Sequence, residues 1–340
     1  MVKKVAVVIL NYNGRDFLRK FLPNVISRTG KDAEVWVADN NSLDGSTEIL
    51  KEEFPDVKLV ENKYNAGFAG GYNMALGKIK ADYYVLLNSD IEVTENWINP
   101  VIELMESDAS IAACQPKIIS YQERDEFEYA GASGGFLDRY GYPFCRGRIF
   151  QSLEKDNGQY DDPIEVFWAT GACMFVRAEL YHRFGGLDYD FFAHMEEIDF
   201  CWRLKNEGYR IMVCPTSTVY HVGGGTLPKK SARKTYLNFR NNLSLLYKNL
   251  PREQLLPAFI LRFILDGVAA LKFFLEGGFE DLVAVLKAHL FFYRNFGKLR
   301  GKRKKLKQTK VSCVYNRNIV FDHYILGKKR YSELDSKKFS

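Results

Sequence analysis

The chain has 340 residues, room for one large domain or two, and its 46% hydrophobic and 26% charged fractions exclude wholesale disorder. Net charge is +6, but ten of the 48 Lys and Arg fall in Lys287–Lys310, which holds no acid. The remainder is therefore slightly acidic, and no nucleic-acid partner is expected.

Six cysteines (Cys114, Cys145, Cys173, Cys201, Cys214, Cys313) are scattered without a C-x-x-C pair, which argues against a zinc ribbon or disulfide scaffold. That usage suits a reducing compartment. Met1 runs almost at once into a strand-like segment and leaves no room for a signal peptide.

Val5 to Leu10 is an unbroken apolar run and predicts a first strand. Asn11-Tyr12-Asn13-Gly14 makes a turn, and Phe17, Phe21, Leu22 and Val25 give helical spacing to Asp16–Ser27. Glu34–Ala38 predicts a second strand, ending at Asp39-Asn40-Asn41-Ser42-Leu43-Asp44-Gly45-Ser46. A helix follows over about Thr47–Phe54, then a third strand over Val57–Glu61. Asn65–Asn73 reads as a glycine-rich turn leading to a helix that ends near Lys80. Tyr83–Leu87 is a five-residue apolar run that stops at Asn88-Ser89-Asp90, as a strand buried on both faces would. Strands alternating with helices predict a doubly wound α/β sheet, mostly parallel.

In such a sheet ligands bind beyond the carboxyl ends of the strands. Asn11, Asp39, Asn65 and Asp90 each follow a strand, so all four should line that edge. Each alone also suits a turn. There is no G-x-G-x-x-G after the first strand and no G-x-x-x-x-G-K-[ST], which sets aside dinucleotide and P-loop sites.

V-V-I-L-N-Y-N, D-N-N-S-L-D-G-S, N-A-G-F-A-G-G-Y-N and L-L-N-S-D together resemble the inverting family 2 glycosyltransferases of GT-A fold, more narrowly their rhamnosyltransferase-like members. The resemblance covers residues 3–225. It implies transfer of a sugar from a dTDP- or UDP-sugar to a glycan or lipid-linked acceptor in bacterial surface polysaccharide synthesis. It assigns Asp39 to the nucleotide base and Asp90 to a divalent metal, Mg²⁺ or Mn²⁺, on the diphosphate. Donor-binding residues would be Asn11, Asn13, Asp39, Asn65, Gly67, Asn73, Asp90 and Gly171. Asn88 stands where many relatives carry a first Asp.

Ile111–Gln115 predicts another strand. Lys117–Asp162 loses periodicity and reads as a long irregular insertion, an acceptor-side loop by the resemblance. Gly171 and Ala172, inside an apolar stretch from Val166 to Val176, suit either close approach of backbone to a ligand or a packing turn. Phe191–Arg203 resembles the family segment with the catalytic acid pair, here Glu196-Glu197 at a helix start. Acids there also complement the helix dipole.

Helix neighbours point about 100° apart, so both acids cannot face the sugar. With Ile198, Cys201 and Trp202 marking the buried side, Glu197 lies near its edge, and the family places its base at that second position. Glu197 is therefore the expected base, with Glu196 and Asp199 orienting acceptor or helix. Tyr209–Cys214 predicts a strand. His221, before three glycines, resembles the histidine that completes the family's metal shell.

The chain divides into a catalytic domain over 1–225, a helical and basic region over 226–312, and a tail over 313–340. Thr226–Arg240 reads as a mobile segment over the site. Leu255–Leu275 and Phe279–Phe296 are apolar and aromatic, but Pro257, Arg262, Asp266 and Lys272 interrupt the first, and Glu280, Asp281, Lys287 and His289 the second, so neither reads as a bilayer span. Beside so many Lys and Arg they suit peripheral attachment of a cytoplasmic protein to an anionic inner membrane face, or pairing with a second copy. A processive synthase is disfavoured by the lack of Q-x-x-R-W. A non-catalytic sugar-nucleotide-binding or scaffold protein is the competing function.

Overall fold

The computed structural model describes residues 4–31, 33–223 and 231–340. The first half alternates as expected: β1 (Val5–Asn11), α1 (Arg15–Arg28), β2 (Ala33–Asp39), α2 (Ser46–Glu53), β3 (Lys58–Glu61), α3 (Gly67–Leu76) and β4 (Tyr83–Asn88). Strand β5 (Ile91–Val93), helix α4 (Asn99–Ser107) and strand β6 (Ile111–Ser120) follow. β1 pairs parallel with β2 and β4, and β2 with β3. Successive side chains of a strand point to opposite faces, and both faces here are covered. Val5, Val7 and Ile9 of β1 join Tyr83, Val85 and Leu87 of β4 in one core, while Ala6 and Val8 join Tyr84 and Leu86 in the other.

Helix α3 corrects one expectation. The stretch Asn65–Asn73 is mostly helix, and only Gly67, at φ +69°, keeps the left-handed backbone of a turn. Gly70 and Gly71 sit inside the helix because a Cβ there would meet Tyr189 at 2.6 Å and Leu10 at 2.8 Å. They serve close packing, which outweighs their helix-breaking cost.

The stretch 117–162 is also more ordered than its sequence reads. Its short strands β7 (Gly135–Asp138), β8 (Pro143–Cys145), β9 (Arg148–Ile149) and β10 (Ser152–Leu153) form a second sheet. Strands of two to four residues carry too few alternations to show a period, yet Phe127, Phe136, Phe144 and Ile149 are fully buried under them.

Beyond lie β11 (Ile164–Val166), β12 (Cys173–Arg177), α5 (Ala178–Arg183), α6 (Glu196–Asn206) and β13 (Arg210–His221). The main sheet runs β11-β13-β6-β12-β4-β1-β2-β3, with β5 paired to β13. β12 lies antiparallel between β4 and β6, so the start of β12 meets the end of β4. The expected segment Thr226–Arg240 falls partly on 224–230, outside the described residues; from Ala232 it is helix.

Four helices then pack together: α7 (Ala232–Asn249), α8 (Arg252–Leu275), α9 (Phe279–Arg294) and α10 (Phe296–Lys304). Among the described residues no helix is long and apolar enough to cross a membrane. The chain ends in β14 (Val314–Tyr315) and α11 (Ile319–Tyr324), with β14 pairing parallel to β7. Phe339 packs against Phe136, Phe144, Tyr315 and Tyr331, which fastens the C-terminus to the second sheet.

Candidate active site

The parallel register sets Asn11 opposite Asp39 and Leu10 opposite Asn88, so three strand ends open on one edge. Asp39 is buried, accepting from Asn11 Nδ2 at 2.9 Å and from the Ser42 amide at 2.8 Å. Asn13, at φ +51°, donates its amide to Ser42 Oγ and accepts from Leu43 N, folding the Asp39–Leu43 loop over the end of β1. The Asn11 side-chain oxygen is buried without a partner, and the glycine at 14 leaves it room, since a Cβ there would lie 2.5 Å away.

Asn40 is a residue that sequence reasoning missed. Fully buried, it donates to Asn65 Oδ1 and the Gly67 carbonyl at 3.0 Å each, and its own oxygen accepts from Asn62. Asn65 thus serves the turn before α3, also accepting from Gly67 N at 2.9 Å.

At the next strand end, Asp90 Oδ1 stands 3.2 Å from His221 Nε2, with Asn88 Nδ2 3.3 Å from the same nitrogen. The other ring nitrogen, Nδ1, lies 3.1 Å from Glu128 Oε2. Burial opposes charge on His221, but Glu128 and Asp90 on either side raise its pKa to about 10. Burial likewise opposes charge on Asp90, yet the hydrogen bond with His221 holds it below the usual carboxylate range.

Glu128 was not visible in the sequence: it sits in the aperiodic insertion, 93 residues before its partner. Its place is built in, because a Cβ on Gly223, at φ +72°, would come within 2.6 Å of Glu128 Oε1.

Hard divalent cations favour carboxylate oxygen and accept neutral imidazole, so Asp90 and His221 supply a fitting donor set provided the cation displaces the Nε2 proton that the flanking carboxylates otherwise hold on the ring. Among the described residues no three His, Cys, Asp or Glu form a closed cage. A cation here would need other oxygens, as Mg²⁺ commonly takes from substrate phosphates.

The acid pair follows a contorted loop. Phe192 (φ +64°), His194 (φ +70°) and Met195 (φ +72°) all lie in the region that favours glycine. Such residues cost on the order of 1–3 kcal/mol each and persist only where their surroundings dictate them. From one side the Phe192 carbonyl accepts from the amides of Phe68 and Ala69 at the start of α3. From the other, Asn241 on α7 donates to the carbonyls of Phe191, Ala193 and His194 at 2.7 to 3.0 Å, and Arg240 to Asp190 and Phe191.

Helix α6 then opens with Glu196 buried and Glu197 half-buried, and one carboxyl oxygen of each has no partner. Burial pushes both carboxyls up: Glu196 well above its ordinary range, with Glu197 adding repulsion, and Glu197 to about 7. Asp199 differs. Fully buried, it binds Arg203, Lys248 and Asn249, and despite burial the Lys248 and Arg203 cations hold it below the usual range. It therefore ties α6 to α7.

One turn joins the two halves of the site. The Ala172 carbonyl accepts from the Asn88 amide at 2.9 Å, beside the metal-type pair. Its neighbour Gly171 faces the acids, where an added Cβ would lie 3.9 Å from Glu197 Cβ and 2.9 Å from the Phe68 ring. Asn73 stands apart, its side chain committed to Leu187 and Tyr181. It supports the turn before the acid loop.

If the loop clamp sets the acids, Asn241→Ala should cut turnover by about 10²-fold, the order expected for a displacement near 1 Å, while donor KM moves little. Equal loss of kcat and donor affinity, or no loss, would separate the loop from the chemistry.

A mixed α/β sheet whose carboxyl edge carries acids, an imidazole and a glycine turn defines a GT-A type of fold. The chain belongs to glycosyl transferase family 2, whose model matches residues 6–185. It is 24% identical over 266 residues to the low-salt glycan biosynthesis hexosyltransferase Agl10 of Haloferax volcanii, covering 75% of this chain and 80% of that one. It is 23% identical over 239 residues to the N-acetylglucosaminyl-diphospho-decaprenol L-rhamnosyltransferase of Mycobacterium tuberculosis, covering 65% and 76%. Among solved structures it resembles GalNAc-T7 with UDP, GalNAc and Mn²⁺, at TM-score 0.58 and 18% identity over 74% of this chain and 49% of that one. It also resembles the mannosyltransferase PcManGT of Pyrobaculum calidifontis with GDP-Man and Mn²⁺, at TM-score 0.53 and 15% identity over 89% and 86%.

Proposed function

We propose that this glycosyltransferase is inverting and moves a hexosyl or rhamnosyl group from a dTDP- or UDP-sugar to a glycan or lipid-linked acceptor in surface polysaccharide synthesis. The observation that carries it is the Glu197 carboxyl, with an unpartnered buried oxygen, held beside Gly171 while Asp39, Asp90 and His221 line the strand ends. An acceptor hydroxyl attacks the anomeric carbon as the bond to the diphosphate breaks on the opposite side. Glu197 takes the hydroxyl's proton, and a pKa near neutrality suits a group that must accept it. Asp39 and the Asp39–Leu43 loop, fastened by Asn13, hold the nucleoside, and Gly171 lets the sugar approach the backbone. Mg²⁺ or Mn²⁺, held by Asp90 and His221, would neutralise charge developing on the leaving diphosphate.

A lipid-linked acceptor also accords with a cytoplasmic protein attached to the inner membrane face, supported by the outward surface of α8 and α9. A non-catalytic sugar-nucleotide-binding protein is the competing case, and donor turnover separates the two.

Glu128 acts through His221: a carboxylate on Nδ1 leaves Nε2 aimed at Asp90. Loss of such a partner typically costs 10–100-fold in metal affinity. Glu128→Gln is therefore expected to weaken Mn²⁺ binding by that order, read by paramagnetic resonance of free Mn²⁺. Unchanged affinity would leave Glu128 no part in the metal site.

A further inference from the structure

Helix α8 buries an ion pair on its inward side and leaves an apolar stripe on its outward side. Along α8 the most buried residues are Ala258, Arg262, Asp266 and Ala270, flanked by the inward-packed Phe259 and Phe263, and the ionic pair among them is only 2% and 1% exposed. Arg262 bonds Asp266 at 2.9 Å and lies over the Tyr142 ring at 4.0 Å, while Asp266 meets His289 of α9 at 3.1 Å. The outward residues are Leu256, Ile260, Ile264, Val268, Leu271 and Leu275, 54% to 74% exposed. Spacings of three and four share one helix face, so they form a continuous stripe.

Helix α9, apolar on its inward side, also exposes an apolar stripe. Ala284, Val285, Ala288 and Phe292 turn inward, and Phe279, Leu286, Leu290 and Tyr293 turn out. Single exposed apolar residues are ordinary, but two adjacent stripes mark a surface that binds something.

The chain's end adds a second apolar element. Phe321, Tyr324, Ile325 and Leu326 at the tip of α11 are all exposed, and Lys328-Lys329-Arg330 follows after Gly327. The tip sits beside α8, since the Lys272 ammonium lies 5.3 Å from the centre of the Tyr324 ring.

Charge chooses the occupant. Of the ten basic residues from Lys287 to Lys310, Lys298, Lys302, Arg303 and Lys307 are used within the protein, by Asp188, Asp190, the Tyr247 carbonyl and Glu207. Lys287, Arg294, Arg300, Lys304, Lys305 and Lys310 remain exposed to solvent. The hairpin's own exposed acids are Glu253 at its start and Glu276 and Glu280 at its turn. A second copy laid on this face would bring two basic segments together, whereas an anionic bilayer neutralises them.

We propose that the outward faces of α8 and α9, together with the α11 tip, lie in the interface of an anionic lipid bilayer, with the flanking Lys and Arg among the headgroups. The helices would lie along the surface rather than cross it. The proposal deepens the glycosyl-transfer reading, for which it supplies the place where a lipid-linked acceptor is met.

The test is flotation of the full chain with phosphatidylglycerol-containing vesicles and with phosphatidylcholine vesicles, at low and high salt. The wild type is expected to float with the anionic vesicles and less so as salt rises. Ile264→Asp with Leu271→Asp, and separately Ile325→Asp with Leu326→Asp, should each lower the bound fraction at least about tenfold. Because these positions are exposed, melting temperature and donor turnover in solution should stay at wild-type values. Flotation reads lipid binding whether or not a donor turns over, so the functional reading and the docking surface fail separately. A wild type that stays with the soluble fraction, or charged variants that float as well as it does, overturns the proposal. So does a dimer that Ile264→Asp with Leu271→Asp dissociates.

Discussion

Glu197→Gln is expected to slow sugar transfer by at least about 10²-fold while donor binding stays near normal. Glutamine keeps the size and polarity of the side chain but cannot accept the acceptor's proton. The expectation rests on the two environments in the first turn of α6: Asp199 is saturated by Arg203, Lys248 and Asn249, whereas Glu197 keeps an unpartnered oxygen. Normal transfer by Glu197→Gln with loss in Glu196→Gln would move the base to Glu196.

Burial, the main cause of the shift, raises the Glu197 pKa from 4.5 to about 7, so kcat/KM should rise with pH through about 7 before levelling. Stability should run the other way. The folded state favours the protonated carboxyl, so this contribution is full below the ordinary value of 4.5 and is lost as pH rises through about 7.

Asp90→Ala should abolish transfer, and His221→Ala should weaken its dependence on divalent metal. Asp90 is the only carboxylate of the N-S-D segment, because Asn88 brings an amide where a second acid would otherwise stand. With Asp90 gone, a cation would keep only the imidazole, and the diphosphate's charge would go unneutralised. The measurement is nucleotide release against Mn²⁺ and Mg²⁺ concentration for each variant. Full activity of the wild type in EDTA, or metal-dependent release by Asp90→Ala, would contradict the assignment.

The first half of the fold was legible because β1 and β4 are buried on both faces, so their apolar runs end where the sheet edge begins. The same logic placed Asn11, Asp39 and Asp90 on one edge. It failed where order depends on distant partners. Glu128 has no local signal, since its meaning comes from His221. The glycines of α3 mimic a turn, although Gly70 and Gly71 answer to Tyr189 and Leu10. Asn241 looks like any helix residue until the strained loop at Phe192–Met195 is seen to hang from it. In α8, Arg262 and Asp266 read as interruptions of an apolar stretch, yet they are buried while Leu256, Ile260, Ile264 and Leu271 are exposed. Periodicity shows that a helix has two faces but not which of them the protein covers.

The most direct test of the central claim is a panel of dTDP- and UDP-sugars incubated with the full chain and Mn²⁺ or Mg²⁺, with nucleoside diphosphate release as the readout. Release from at least one donor is expected, lost in EDTA and in Asp90→Ala and sharply reduced in Glu197→Gln. Binding of a sugar nucleotide without release from any donor, with or without metal and added acceptor, would contradict the account and leave a binding protein.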